Sequence, residues 1–342
     1  MHCTLLIPDL LLPHELGDAP YHGLRLPALD LLLARGNAAA RPPLAYEEWL
    51  CRAFGIPKQQ DSPVAALMLD ADGGDAQHYY WLCADPVEMR ADRNRLVITG
   101  RAHDISAAEA LEFTAALNRH FAADGIVFVA PSPLRWYLRV ERAPQLVTTP
   151  LARVLNRSVE HHLPRGADAL AWNRVINEAQ MILHAHPANA AREARGASNV
   201  NSIWLWGGGT LPALSRPLYT SVWSDDHLPR ALAAATGIAH HVLPSNGAAW
   251  LAAATSEDHL LVLDAQAHAL RAGDVAAWRE ELVSLDHNWI APLLTALRAK
   301  TITALTLVAC NSDHLLEAIL APSAWWRFWR RARPLADYAG AH

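Results

Sequence analysis

Lysine is nearly missing from this chain: Lys58 and Lys300 are the only two among its 342 residues. Arginine supplies almost all the positive charge, and the formal net charge is −5, so no broad basic face for nucleic-acid phosphates is expected. Cysteine is scarce as well. Cys3, Cys51, Cys83 and Cys310 lie far apart with no C-x-x-C pair, which argues against a zinc knuckle or a disulfide framework and for reduced, buried thiols. No run of 18 apolar residues occurs, and Pro8, Asp9 and Pro13 interrupt an apolar N-terminal stretch that has no positive leader. Neither a membrane span nor a signal peptide is expected, and a cytoplasmic location follows by elimination. Repeats and low-complexity tracts are also lacking. What is present, 52% hydrophobic and 18% charged residues, describes a globular protein of one or two domains. A chain of this length buries roughly 75% of its unfolded surface.

The apolar periodicity orders the chain. A first strand, Cys3 to Ile7, ends at Pro8 and Asp9, and a helix from Pro27 to Arg35 stops at Gly36. Strands then follow near Tyr79 to Cys83 and Arg95 to Thr99. A helix from Ser106 to Phe121 comes next, opened by a Ser106/Glu109 capping box, and then strands near Ile126 to Val129 and Leu134 to Val140. That order predicts a small α+β module over 73–145, inserted into a larger domain formed by 1–72 and 146–342. Beyond it helix and strand alternate: Asp168 to His184, Ile203 to Trp206, His227 to Thr236 capped by Asp225 or Asp226, Leu260 to Leu263, Val275 to Ala299 broken near Pro292, and Ala304 to Ala309. Alternation of this kind predicts an α/β fold with a mostly parallel sheet flanked by helices.

The densest polar signal runs from Asn177 to Pro212. Fixed points NE, HPAN, R and G lead into NVNSIWLWGGGTLP. A strand running into Gly207, Gly208 and Gly209 is expected to bring bare backbone N–H groups to a strand's carboxyl end, where open α/β sheets bind ligands. Asn177, Asn189, Arg192, Asn199 and Asn201 add amides and a guanidinium suited to an anion or to fixing a loop. A buried strand followed by a tight glycine turn is the plainer alternative.

This segment resembles the archaeal-type cofactor-independent phosphoglycerate mutases, in which a similar run, NE, HPxN, R, G, then N-x-IWLWGxGxxP, closes part of the active site. The stretch WLCADPVEMRADRNRLVITGRAHDISAAEALEFTAALNRHF looks like that family's inserted domain, with Arg90 where an arginine faces the substrate phosphate. The ADPVxxR segment and the WRFWRR-type ending also resemble RpfE-type bacterial regulatory proteins, which share this layout. The resemblance covers most of the chain. It implies an alkaline-phosphatase-like fold, whose members use metal ions and a Ser or Thr nucleophile.

Phosphoryl transfer of that kind needs a nucleophile, two metals about 4 Å apart and an anion pocket. The stretch RPPLAYEEWLCRAFGIP stands where the resemblance places the nucleophile, yet between Gly36 and Asp61 there is no Ser or Thr. Cys51 is the sole thiol there, and Trp49, Leu50, Ala53 and Phe54 around it predict a buried, inert position. For metal, Asp9 ends the first strand, Asp264 and His268 keep a D-x-x-x-H spacing, and Asp313 and His314 form an Asp-His pair after a strand. Alignment on Gly273 and Asp274 instead puts Ala267 and Arg271 at the two ligand positions of that D-x-x-x-H spacing. No candidate stands for the family's final histidine, since the next after His314 is His342. A five-ligand manganese or zinc site and a set of helix caps with surface histidines are the two readings.

His161-His162, His240-His241, and His184 with His186 read as surface or packing residues. In WWRFWRRARP, Trp325, Trp326, Phe328 and Trp329 alternate with Arg327, Arg330, Arg331 and Arg333. The expectation is a terminal helix docked on the sheet with its arginines outside. Contact with an anionic membrane or a partner protein through Trp325, Trp326, Trp329, Arg330 and Arg331 is the alternative. The sequence as a whole reads as a mutase-like protein without its catalytic hydroxyl, holding no resident cofactor and binding a small phosphorylated or carboxylated ligand in a regulatory role. The pocket residues would be Arg90, Arg192, Asn199, Asn201 and Gly207 to Gly209. A metal-dependent phosphomutase or phosphatase, and a docking scaffold, are the competing readings.

Overall fold

The computed structural model describes residues 1–92, 95–255, 257–327 and 329–339. Its strands are β1 His2–Pro8, β2 Ala39–Arg41, β3 Tyr80–Asp92, β4 Arg95–Arg101, β5 Val127–Ser132, β6 Arg135–Val140, β7 Ser202–Gly209, β8 Ser221–Trp223, β9 Ala239–His241, β10 Asp258–Val262, β11 Ala304–Cys310 and β12 Leu315–Leu320. The helices are α1 Pro27–Arg35, α2 Tyr46–Ala53, α3 Val64–Ala71, α4 Ala107–Phe121, α5 Ala169–His184, α6 Pro187–Ala194, α7 His227–Thr236, α8 Gly247–Ala253, α9 Ala265–Arg271, α10 Val275–Leu285, α11 Ala291–Arg298 and α12 Ala336–Ala339. Two compact units share them, one formed by Met1–Gly55 with Ser215–His342, the other by Ile56–Leu214.

The first unit carries a seven-stranded sheet in the order β2-β12-β11-β1-β10-β8-β9. From β11 to β9 the neighbours are parallel, and β12 and β2 close one edge antiparallel. This is the mostly parallel sheet that the alternation predicts. β1 sits in the middle, which is why Cys3 to Ile7 is an unbroken buried run rather than an alternating one. Helix α1 begins with Pro27 at its first position, and its first-turn N–H groups, Ala28 and Leu29, donate to Asp286 at 3.3 and 2.6 Å. The predicted long helix is two, α10 and α11, joined by a π turn over Asp286–Ile290 just ahead of Pro292. A proline lacks the N–H of the i→i−4 bond, and the wider turn absorbs that loss.

The second unit is built on an antiparallel sheet, β4-β3-β6-β5, with β7 also paired to β3. Helix α4 opens with the expected capping box and packs Phe113, Leu117 and Phe121 into a core with Phe128, Trp136 and Leu138. Here the structure corrects two expectations. The Ile203 strand does not join the parallel sheet: β7 runs antiparallel to β3, from Val87 opposite Ser202 to Trp81 opposite Gly209. Because β7 and α5 share that unit's core, it spans 56–214 rather than 73–145. The 13 residues of β3 explain the change, since one strand that long gives hydrogen-bonding edge to β4, β6 and β7.

The chain's last segment also differs from expectation. Pro322–Trp326 is a 3-10 turn, and two of the arginines that follow it, Arg327 and Arg330, bond to the body. Arg327 donates to Arg35 O at 3.2 Å, and Arg330 to Gly36 O at 2.9 Å, answering carbonyls at the C-terminal end of α1. Trp325 lies under two guanidinium groups, Arg35 at 5.2 Å and Arg298 at 5.9 Å. Phe328 lies outside the described residues. Among the described residues no helix is long and apolar enough to cross a membrane.

Candidate functional site

In the first unit the carboxyl ends of four adjacent parallel strands gather the acidic residues. Asp9 follows β1, Asp225 and Asp226 follow β8, Asp264 follows β10, and Asn311 to His314 follow β11. Asp9 takes a left-handed φ of 54°, pinned by its own N–H on Cys310 O at 3.1 Å and by Trp278 Nε1 on its carbonyl at 2.9 Å. A non-glycine residue in that region costs of the order of 1–3 kcal/mol. Of the two predicted caps for α7, Asp226 does the capping, accepting from His227 N at 2.7 Å, and its other oxygen accepts the Tyr46 hydroxyl at 2.7 Å. Burial, then the Asp226 and Asp264 carboxylates, push the Tyr46 phenol well above its ordinary range.

Arg271 adds positive charge to this cluster. Burial raises the Asp264 carboxyl and Asp226 adds to that, while His268 and Arg271 oppose it. Burial likewise drives the Cys310 thiol far up, helped by Asp9 and Glu47 and opposed by Arg271. One guanidinium at the end of α9 therefore acts on Tyr46, Asp264 and Cys310 together. Beside Asp264 a cavity of about 310 Å³ is lined by Asp225, Glu281, Gln266 and Trp289, with no Arg, Lys or His on its wall. An anion would be repelled there.

The predicted metal donors do not fit a two-metal site. His268 is 63% exposed, and its Nδ1 lies 3.0 Å from the Asp264 carbonyl and 3.8 Å from its carboxylate, one turn back on its own helix. His314 is buried and holds Leu12 O through Nε2 at 3.1 Å, with its ring 4.5 Å from that of His14. Burial raises the Asp313 carboxyl, but the His14 N–H at 3.0 Å, the Ser312 hydroxyl and the two imidazoles outweigh it and hold it below the usual range. Asn311 fixes this loop by donating to Leu11 O and accepting from the N–H groups of Asp313 and His314. Among the described residues no three His, Cys, Asp or Glu side chains are grouped to hold a metal ion. Cys51 lies buried in α2, as its neighbours predict.

Three side chains of the second unit's polar run, Arg192, Asn189 and Asn201, are spent chiefly on its own backbone. Arg192 is fully buried, its Nε on Ser198 O at 2.7 Å, Nη2 on His103 O at 2.7 Å, and Nη1 on Asp104 O at 3.1 Å and Glu109 at 3.2 Å. Asn189 donates to Leu183 O and Val200 O and accepts from Val200 N. Asn201 accepts from Met89 N and donates to Met89 O, both at 2.8 Å, and so substitutes for a strand partner at the bulge between Glu88 and Met89. Asn177 is exposed on α5, and Asn199 keeps a buried Oδ1 with no hydrogen-bond partner. Arg90 extends from the same bulged strand with its side chain 64% exposed, paired to Glu88 at 2.9 Å.

The three glycines form no open turn. They lie inside β7, fully buried, because α3 and its approach pack on them. A Cβ would strike Val64 at Gly207, Tyr80 at Gly208 and Pro63 at Gly209, and Gly207 also has φ 69°. Nor are their N–H groups bare. Gly207 N donates to Thr148 Oγ1 at 3.0 Å, and Gly208 N bonds the Asp61 carboxylate. Asp61 also accepts the Thr148 hydroxyl at 2.5 Å and the Thr148 N–H at 3.0 Å, and these bonds oppose the upward push of burial on its carboxyl. An internal carboxylate thus fills the role expected of a ligand. Asp61 and Thr148 escape sequence reading, although D-S-P ahead of the apolar run VAALML is a helix-start signature. Ser62, one residue past the hydroxyl-free window, is a half-buried hydroxyl residue just ahead of α3.

Comparison with known proteins agrees with this geometry in part. A family model described as 2,3-bisphosphoglycerate-independent phosphoglycerate mutase matches residues 83–189. The 2,3-bisphosphoglycerate-independent phosphoglycerate mutase of Methanothrix thermoacetophila is 37% identical over 70 residues, 20% of this chain and 18% of its own. The probable enzyme of that name from Geobacter sulfurreducens is 27% identical over 212 residues, 58% of this chain and 52% of its own. The matched stretches thus span about half of these curated relatives or less. Among solved structures, the cofactor-independent phosphoglycerate mutase from Thermoplasma acidophilum covers all of this chain, and 95% of its own, at 15% identity and a TM-score of 0.51. The fold is therefore α/β and alkaline-phosphatase-like, with a separate antiparallel sheet, and the chain is phosphoglycerate-mutase-like.

Proposed function

We propose that this phosphoglycerate-mutase-like chain no longer performs metal-dependent phosphoryl transfer and serves a regulatory role, as its resemblance to RpfE-type proteins suggests. The observation that carries the reading is that His268, Asp313 and His314 are turned to other partners, while the Arg271 guanidinium acts electrostatically on Asp264 and Cys310. Ligand recognition, in this reading, falls to Arg90. Arg192, Asn189 and Asn201 are engaged with backbone carbonyls of their own unit, whereas the Arg90 guanidinium faces solvent and can exchange Glu88 for a phosphate or carboxylate.

A thermal-shift series with 3-phosphoglycerate tests this. Wild type is expected to be stabilised, Arg90→Ala to lose that gain while keeping its unliganded Tm, and Arg192→Ala to lose about 3–5 kcal/mol with or without ligand. No gain in wild type would remove Arg90 from the proposal. A second reading is a metal-dependent phosphomutase, favoured by the Ser62 hydroxyl ahead of α3. Interconversion of 2- and 3-phosphoglycerate with added manganese, abolished by Ser62→Ala, would establish it and overturn the first.

A further inference from the structure

The last segment divides its side chains into two sets. Trp325, Arg327 and Arg330 face the body, where they stack between Arg35 and Arg298 and cap the end of α1. Trp326 and Trp329 are 76% and 67% exposed. Two indoles so exposed, three residues apart, are unusual for a side chain that sits well buried on average. The exposed Arg331 and Arg333 follow them in the chain, and Asp337 is the only acidic residue between Pro322 and Tyr338. The backbone needs no outside partner at these turns, since Ala324 N bonds Ala321 O, Arg327 N bonds Ala324 O and Arg330 N bonds Arg327 O. A segment that answers its own amides can enter a poorly hydrating boundary.

We propose that this face is a docking surface for an anionic lipid bilayer, with Trp326 and Trp329 inserted at headgroup level and Arg331 and Arg333 against lipid phosphates. Indoles favour that depth because one edge is apolar and the other donates a hydrogen bond, and an anionic leaflet attracts each nearby arginine by an amount equal to about fivefold in partition. The inward arginines fix the presentation. A protein partner is less well matched, because two projecting indoles with a cationic rim complement a soft, charged surface rather than fill a pocket. The binding is peripheral and reversible, as expected from two insertions and two charges.

Flotation of the full chain tests the proposal, with vesicles of phosphatidylcholine alone and of phosphatidylcholine mixed with phosphatidylglycerol. Wild type should float with the mixed vesicles only, and less at high salt. Trp326→Ser with Trp329→Ser should lower partition at least tenfold, and Arg331→Gln with Arg333→Gln about thirtyfold at low salt. Circular dichroism of both double variants should match wild type, because neither pair includes Trp325, Arg327 or Arg330, which hold the segment to the end of α1. Wild type that stays unbound to mixed vesicles at low salt, or a double-tryptophan variant that floats equally, overturns it. So does a wild type that dimerises through these tryptophans in sedimentation velocity and does not float.

Discussion

Among single residues, the charged groups of this protein are chiefly neutralised by the protein itself. Asp61 holds the N–H of Gly208 and the hydroxyl of Thr148, Arg192 holds three carbonyls and Glu109, and Arg271 works among buried acids. Such groups tie titration to stability. Asp30 in α1 is a clear case: burial and the neighbouring Asp286 carboxylate push its carboxyl up to about 6. Its folded pKa exceeds the unfolded value, so the folded state binds the proton more tightly. That contribution is fully present below about pH 4 and is lost as pH rises through 6. Asp30→Asn is therefore expected to raise Tm at pH 7 and leave it unchanged near pH 4, as thermal melts across pH would show. An equal Tm change at both pH values would place the effect in packing instead.

Elements follow from pattern where their neighbours are local. Helix α1 spans Pro27 to Arg35 as predicted, and α4 takes its predicted capping box, because caps and periodicity act within one turn. The partner of β7 was not legible. IWLW is an apolar run, and such a run fits a parallel or an antiparallel sheet equally well. A triple glycine has the composition of a turn, yet here it lies in a strand against which Pro63 and Val64 pack. Gly208→Ala should therefore destabilise by about 1–3 kcal/mol through collision with Tyr80 and Leu82. Urea unfolding measures this, and a loss below about 0.5 kcal/mol would mean that the strand gives way freely.

At the scale of the molecule, the strand order of the parallel unit brings Asp9, Asp264 and Asp313 to one edge, but among the described residues no three such side chains group to hold a metal ion. Purified protein is accordingly expected to carry substoichiometric manganese and zinc by mass spectrometry, with a Tm insensitive to chelator. Arg271→Ala should lose about 1–3 kcal/mol at pH 8 and less as pH falls into the acid range, because burial raises the Asp264 carboxyl and a protonated Asp264 no longer needs the guanidinium. Stoichiometric metal in wild type would show that the guanidinium yields its place.

By itself the sequence determined the class of fold, the order of most strands and helices, the buried thiols and the positions of the acidic strand ends, because burial and capping are properties of short windows. Only the tertiary structure decided which sheet β7 joins, where the second unit begins and ends, and whether polar residues face a ligand or one another. The reason is physical. Arg192 meets His103 and Asp286 meets Leu29 across 89 and 257 residues, and no local pattern records what a hydrogen-bonding group will find at that distance.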